Sequence, residues 1–169
     1  MLGFVTITEE AGAADRLLAE TAAALEAQGL RLAGAVQHNL DRGAGRDCDM
    51  DLRILGDDGP AIRISQSLGT CSEGCRLDTG ALARAVGRAE VALARGADLV
   101  IVNKFGKQEG YGRGFREFIA SALAAGIPVL LAVPSDQLQA FRDFAGDLAE
   151  PVIPAEAIGW CRVRAGQAA

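Results

Sequence analysis

The sequence lacks the features of several specialised classes of protein. It has 169 residues with 17 Lys plus Arg against 22 Asp plus Glu, a net charge of -5, and no basic block along the chain. That balance argues against a dedicated nucleic-acid-binding protein. No apolar run approaches the roughly 18 residues that a membrane helix needs, and no signal peptide opens the chain. We therefore expect a cytoplasmic protein with no membrane span and no nucleic-acid partner.

Cysteine and histidine are also scarce, with four Cys and one His. Without a secretory signal, reduced thiols are expected. Cys161 is predicted to be a small buried hydrophobe. Cys48, Cys71 and Cys75 instead lie in polar, glycine-bearing segments, and His38 lies upstream of them. A thiol-based metal site built from these three cysteines remains open, although paired CxxC units are absent.

The hydrophobic half of the sequence alternates between strand-like and helix-like segments. Predicted strands cover residues 2–7, 30–36, 98–102 and 128–133, with an edge strand expected around 158–163. Predicted helices cover residues 14–28, 79–95 and 115–126, and a further helix follows Ser135. Residues 49–55 and 61–65 alternate in polarity around a glycine-bearing turn, which predicts a β-hairpin. The expected fold is a single three-layer α/β domain with a mainly parallel sheet and a hairpin inserted at about 48–66.

In parallel sheets, ligands bind beyond the carboxyl ends of the strands. Residues 8–13, 37–47 and 103–112 are the predicted loops at such ends, and the exit of the hairpin, residues 66–77, could join them. The loop at 8–13 follows the first strand, where a P-loop would lie, but it has no Lys and contains two adjacent acids. Asn103 and Lys104 stand where a P-loop enzyme carries a magnesium-binding acid and a catalytic Glu. Nucleoside triphosphate hydrolysis is therefore not expected.

The loop that begins at Asn103 has a composition suited to anions. Lys104, Lys107 and Arg113 lie among several glycines, and cations beside free backbone N–H groups can hold an oxyanion. Arg76 could bind the same ligand through two hydrogen bonds. The predicted ligand-binding residues are Gln37, Arg76, Asn103, Lys104, Lys107, Glu109 and Arg113.

Five runs, in order along the chain, resemble the bacterial domain-of-unknown-function 2478 family. They are residues 32–37, 48–50, 74–78, 98–109 and 127–130, and NKFGKQE at 103–109 is the most specific. The resemblance covers nearly the whole chain and implies a P-loop nucleoside-triphosphatase-like fold. Members are often encoded near molybdate-uptake and molybdoenzyme genes, so the resemblance implies a role in molybdate handling.

Three functional hypotheses follow. The leading one is a ligand-binding or regulatory protein that binds a molybdate-like oxyanion or a nucleotide in support of molybdenum metabolism. Its partner would be a molybdenum-transport or molybdoenzyme protein, and a homo-oligomer is possible. The second is a divergent phosphohydrolase or transferase that uses Lys104, Lys107 and Glu109. The third is the cysteine-based metal-binding protein.

Overall fold

The computed structural model describes residues 1–7, 12–40, 48–66 and 77–167. Its strands are β1 (Leu2–Ile7), β2 (Leu32–Leu40), β3 (Asp49–Leu55), β4 (Ile62–Arg63), β5 (Leu99–Val102), β6 (Val129–Pro134) and β7 (Ala149–Pro151). Its α-helices are α1 (Ala13–Glu26), α2 (Thr79–Ala94), α3 (Lys107–Gly110), α4 (Arg116–Ala124), α5 (Leu138–Ala145) and α6 (Ala157–Gln167).

The seven strands form one sheet in the order β4-β3-β2-β5-β6-β1-β7. The five strands from β2 to β7 in this order run parallel, whereas β3 and β4 pair antiparallel at one edge. Parallel pairing places the carboxyl ends of β1, β2, β5 and β6 along the same edge of the sheet. The predicted inserted hairpin is therefore confirmed as the antiparallel pair of β3 and β4, and it extends the sheet next to β2.

Helices cover both faces of the sheet, which confirms the three-layer α/β architecture. Residues of α1 and α6 share one apolar core with the sheet, and residues of α2, α4 and α5 share the other. Strand β5 is buried along its whole length, as its continuous apolar sequence predicts. Helix α2 begins where expected, because the Asp78 carboxylate accepts a hydrogen bond from the Ala81 N–H at 2.8 Å.

One glycine is required by the close approach of β2 and β5. Gly34 has φ +114°, and a Cβ at this position would overlap the carbonyl group of Ile101 on β5. A side chain here would separate the two strands whose carboxyl ends carry the candidate site.

Three local predictions differ from the structure. The predicted edge strand at 158–163 is wrong: these residues belong to α6, and β7 (Ala149–Pro151) is the edge strand. The apolar residues of this segment pack at helical spacing, since Ala157 and Cys161 are both buried one turn apart.

Strand β2 continues to Leu40 through its pairing with β3, where a loop was expected from residue 37. Within the loop expected at 103–112, residues Lys107–Gly110 form α3.

None of the described helices is both long enough and apolar enough to cross a membrane.

Candidate functional site

A hydrogen-bonded group of four polar side chains lies where β2 and β5 end beside the first turn of α1. The Gln37 backbone N–H donates to Asn103 Oδ1 at 3.0 Å, which joins the two strand ends. Asn103 Nδ2 donates to Asp15 Oδ1 at 2.9 Å, and Asn39 Nδ2 donates to Asp15 Oδ2 at 2.7 Å. Gln37 Nε2 donates to Asn39 Oδ1 at 2.7 Å and to Asp15 Oδ2 at 3.3 Å. We call Asp15, Gln37, Asn39 and Asn103 the strand-end network.

Asp15 is the centre of this network, since its carboxylate accepts from the side chains of three amide residues. It is the third residue of α1 and is buried. In nucleotide-binding α/β folds the N-terminus of the helix after the first strand binds phosphate. Here that first turn already carries a carboxylate. The arrangement also differs from that of a P-loop enzyme, in which the strand ends in a magnesium-binding acid. Here the acid, Asp15, is on the helix, and an amide, Asn103, follows the strand.

Sequence reasoning included Gln37 and Asn103 but missed Asp15 and Asn39. An acid in the first turn of a helix is common because it complements the helix dipole, so the position of Asp15 carried no functional signal. Asn39 fell in a segment expected to be a loop. Its position becomes significant only because β2 continues beyond Gln37 and brings it alongside Asp15.

A tightly held segment connects β5 to α4. Phe105 is fully buried, and its ring lies 5.3 Å from the rings of both Phe141 and Phe144 on α5. The Phe105 N–H donates to the Ala132 carbonyl on β6 at 2.8 Å. Phe105 thereby anchors the segment to the sheet and fixes where its two neighbours, Lys104 and Gly106, emerge.

Glu109 is turned inward and organises the rest of this segment. One carboxylate oxygen accepts the Gly106 N–H and the other accepts the Phe115 N–H, each at 2.9 Å. Burial raises the pKa of Glu109, while these hydrogen bonds and the charge of Lys104 act in the opposite direction. Both oxygens are thus engaged by the backbone, and the contacts place this carboxylate in a positioning role.

A cleft of about 520 Å³, here called the α3 cleft, opens beside α3 at the carboxyl edge of the sheet. Its wall is mainly apolar, with side chains from β3, β5 and α2, from the residues next to β4 and α2, and from the start of α4. These are Met50, Leu52, Ile64, Leu77, Leu82, Val102 and Phe115. Its polar side holds Gln37, Asn103, Lys104, Lys107, Gln108 and Glu109, and Tyr111 also lines it.

The two lysines bring positive charge to this cleft. Lys104 is half-buried and Lys107 is exposed. Neither forms an ion pair with another residue in the part of the chain that the structure describes. Two ammonium groups beside an apolar wall are chemically suited to an organic anion, since the charges can bind an acidic group while the wall can contact an apolar part.

The structure separates Arg113 from these lysines, although all three lie in one short stretch of sequence. Arg113 lines a different hollow of about 410 Å³ between α2 and the turn before α4, together with Glu90 and Gln108. Arg76 lies outside the described residues.

A third hollow, the α1 groove, runs along α1 and the ends of β2 and β3, with a volume of about 860 Å³. It contains His38 and the exposed Cys48, while Cys71 and Cys75 lie outside the described residues. Within the described ranges, no three His, Cys, Asp or Glu side chains are grouped so that they could hold a metal ion. The metal site that includes Cys71 and Cys75 stays a prediction. Cys161 is fully buried, as predicted.

Residues 4–159 match the model of a family described as a protein of unknown function (DUF2478). Over 135 residues, 79% of this chain, the sequence is 42% identical to the molybdenum import ATP-binding protein ModC 2 of Bradyrhizobium diazoefficiens. This chain spans only 15% of the length of that relative. The backbone is similar to the crystal structure of THEP1 from the hyperthermophile Aquifex aeolicus, with a TM-score of 0.63 over 96% of each chain. At 14% identity this likeness shows the fold alone, which is P-loop nucleoside-triphosphatase-like.

Proposed function

The chain belongs to the DUF2478 family of proteins of unknown function, and from that premise we propose that it is a ligand-binding protein for a nucleotide-sized organic anion. The ligand occupies the α3 cleft, with its acidic group beside Lys104 and Lys107. The protein uses a nucleotide-hydrolase-like fold for binding and does not hydrolyse triphosphates at the start of α1.

The observation that carries this proposal is the combination of volume and lining in the α3 cleft. Its volume of about 520 Å³ lies within the range, roughly 300–1,000 Å³, of small-molecule and cofactor sites. A bare tetrahedral oxyanion would leave most of the apolar wall in contact with water. A ligand with an apolar or aromatic part covers that wall, and burial of apolar surface stabilises the complex by about 25 cal/mol per Å². Between the two ligands suggested by the sequence, this favours a nucleotide over a molybdate-like ion.

The charge at the start of α1 supports placing the anion in the α3 cleft. A phosphate at this helix end would approach the Asp15 carboxylate, which three amide side chains already hold in place. Like charges at short range repel, so the usual phosphate position of such folds is unfavourable here. Lys104 and Lys107 instead lie beyond the end of β5.

A regulatory role in molybdenum metabolism is the finer part of the proposal. It is supported by the family and by the name of the Bradyrhizobium relative, of which this chain spans a small part. A partner from molybdenum transport or a molybdoenzyme, and molybdate itself as the ligand, therefore belong among the alternatives to be tested.

Isothermal titration calorimetry with ATP, GTP, inorganic triphosphate, molybdate, tungstate and phosphate tests the proposal. We expect nucleotide binding that weakens in Lys104→Gln and Lys107→Gln. Loss of one charge-assisted hydrogen bond of about 1.5–3 kcal/mol corresponds to a roughly 10- to 150-fold higher Kd. Arg162→Gln is the matched control, because it removes one positive charge from an exposed position on α6, across the sheet from the cleft.

Two results would contradict the proposal. The first is no heat of binding for any nucleotide at millimolar concentration. The second is an equal loss of affinity in Arg162→Gln, which would show a nonspecific charge effect. Tight binding of molybdate with none of the nucleotides would replace the nucleotide by the oxyanion. Arg113→Gln adds a further test, since a ligand in the α3 cleft is not expected to contact Arg113.

A further inference from the structure

Tyr111 is an exposed aromatic residue at an apolar cleft. It is the only tyrosine in the sequence, and 75% of its surface is accessible. It nevertheless lines the α3 cleft, whose wall is mainly apolar. An aromatic ring that is both exposed and at the edge of an apolar cleft offers a large surface against which a planar partner can stack.

Hydrogen bonds hold the backbone of Tyr111 in a fixed place. The Tyr111 N–H donates to the Lys107 carbonyl at 3.0 Å, which closes the single turn of α3. The Gly112 N–H then donates to the Glu109 carbonyl at 3.1 Å. On the far side of α3, a Cβ at Gly110 would lie only 3.2 Å from Gln137 Oε1, so this helix packs closely against the start of α5. A segment held in this way needs little backbone ordering when a ligand binds, so the entropy cost is that of the Tyr111 side chain alone.

Tyr111 also stands one helical turn after Lys107. Side chains four residues apart on a helix lie next to one another, and both of these residues line the α3 cleft. A ligand that contacts both would combine a flat ring with a negative charge.

We propose that Tyr111 is the stacking platform for a planar heteroaromatic ring, and that the ligand class of the α3 cleft is therefore a nucleotide-like molecule that carries both a base and an anionic group. This rests on the proposed function, because it assigns the aromatic end of the ligand whose acidic end meets Lys104 and Lys107. Stacking requires the ring and not the hydroxyl group of Tyr111.

Calorimetric titration of wild type, Tyr111→Phe and Tyr111→Ala with ATP and with inorganic triphosphate tests the platform. Tyr111→Phe keeps the ring and is expected to bind ATP like wild type. Tyr111→Ala is expected to raise the Kd for ATP roughly 5- to 150-fold, the equivalent of losing one base–aromatic stack. The Kd for inorganic triphosphate, which has no base, should be the same in all three proteins. Urea unfolding checks that the variants are folded.

The outcomes separate the platform from the proposed function. If ATP binding depends on Lys104 and Lys107 but Tyr111→Ala binds ATP like wild type, the platform is overturned and the cleft remains the anion site. If Tyr111→Phe loses as much affinity as Tyr111→Ala, the hydroxyl group is the recognising group and stacking is wrong. If wild type binds neither ATP nor triphosphate at millimolar concentration, the proposed function fails and the platform fails with it.

Discussion

Replacing Gly114 by alanine should destabilise the protein more than its position in a surface turn suggests. Gly114 has φ +57°, and a Cβ built there would overlap Oε1 of Glu109. That oxygen accepts the Phe115 N–H at 2.9 Å, so the added methyl group must displace the carboxylate that holds the segment between β5 and α4.

Two contributions make up the expected effect. An alanine in the left-handed region of backbone conformation costs about 1–2 kcal/mol. Displacing Glu109 breaks its buried hydrogen bond from the Phe115 N–H, and a buried N–H left without an acceptor costs about 1–3 kcal/mol. The free energy of unfolding should therefore fall by roughly 2–5 kcal/mol in Gly114→Ala.

Urea unfolding followed by far-ultraviolet circular dichroism measures this loss, and a double-mutant cycle isolates its cause. In a Glu109→Ala background the clashing carboxylate is gone, so Gly114→Ala should cost only the backbone term of about 1–2 kcal/mol. Gly112→Ala is the matched control. Its φ is +78°, but nothing lies within 4 Å of the added Cβ, so it too should show the backbone term alone.

The reasoning is refuted if Gly114→Ala costs no more than Gly112→Ala. It is also refuted if the cost of Gly114→Ala is unchanged when Glu109 is replaced by alanine. Either result would show that Glu109 does not hold this segment through the contact that Gly114 permits.

Three further predictions concern pH, like charges and thiol reactivity. Burial raises the pKa of Glu109 above 4.5, so its contribution to stability is present below that pH and is lost as pH rises through the folded-state pKa. The unfolding free energy of wild type should therefore fall relative to that of Glu109→Gln as pH increases above 4.5. A constant difference between the two proteins would contradict this. Asn103→Asp places a second carboxylate at the 2.9 Å contact with Asp15. We expect the free energy of unfolding to fall by about 3–5 kcal/mol at neutral pH and to recover on acidification, with no gain of triphosphatase activity. A melting temperature of the variant that does not change with pH would disprove the contact. Burial raises the pKa of Cys161 to about 12, so peptide mapping after iodoacetamide treatment of the folded protein should find Cys161 unmodified while the exposed Cys48 reacts, and equal labelling of both would contradict the burial.

Most of the fold could be predicted because buried elements impose a period on the sequence. The continuous apolar run at β5 and the helical spacing of α1 and α2 each correspond to an observed element. The error at 158–163 has the same origin. A short segment with Trp and Val fits a strand by composition. Only its packing in the structure, with Cys161 buried on α6, shows that it is a helix.

The candidate site was less accessible to sequence reasoning. The predicted ligand-binding residues include five that line the α3 cleft, which are Gln37, Asn103, Lys104, Lys107 and Glu109. Arg113 follows Lys107 by six residues, yet it lines another hollow, because the chain turns after α3, where the Arg113 N–H donates to the Gln108 carbonyl at 2.8 Å.

The sequence by itself determined the alternation of strands and helices and the absence of a P-loop lysine, since these depend on residue type and on spacing along the chain. Only the tertiary structure decided which charged groups face inward, which face a cleft and which face solvent. Glu109 became a positioning residue because backbone N–H groups from two turns converge on its carboxylate. Asp15 is part of the site because α1 lies against the ends of β2 and β5, which brings it into contact with Asn103, more than 80 residues away in the sequence. Such contacts depend on how the elements pack against one another, and the local sequence of a loop does not encode them.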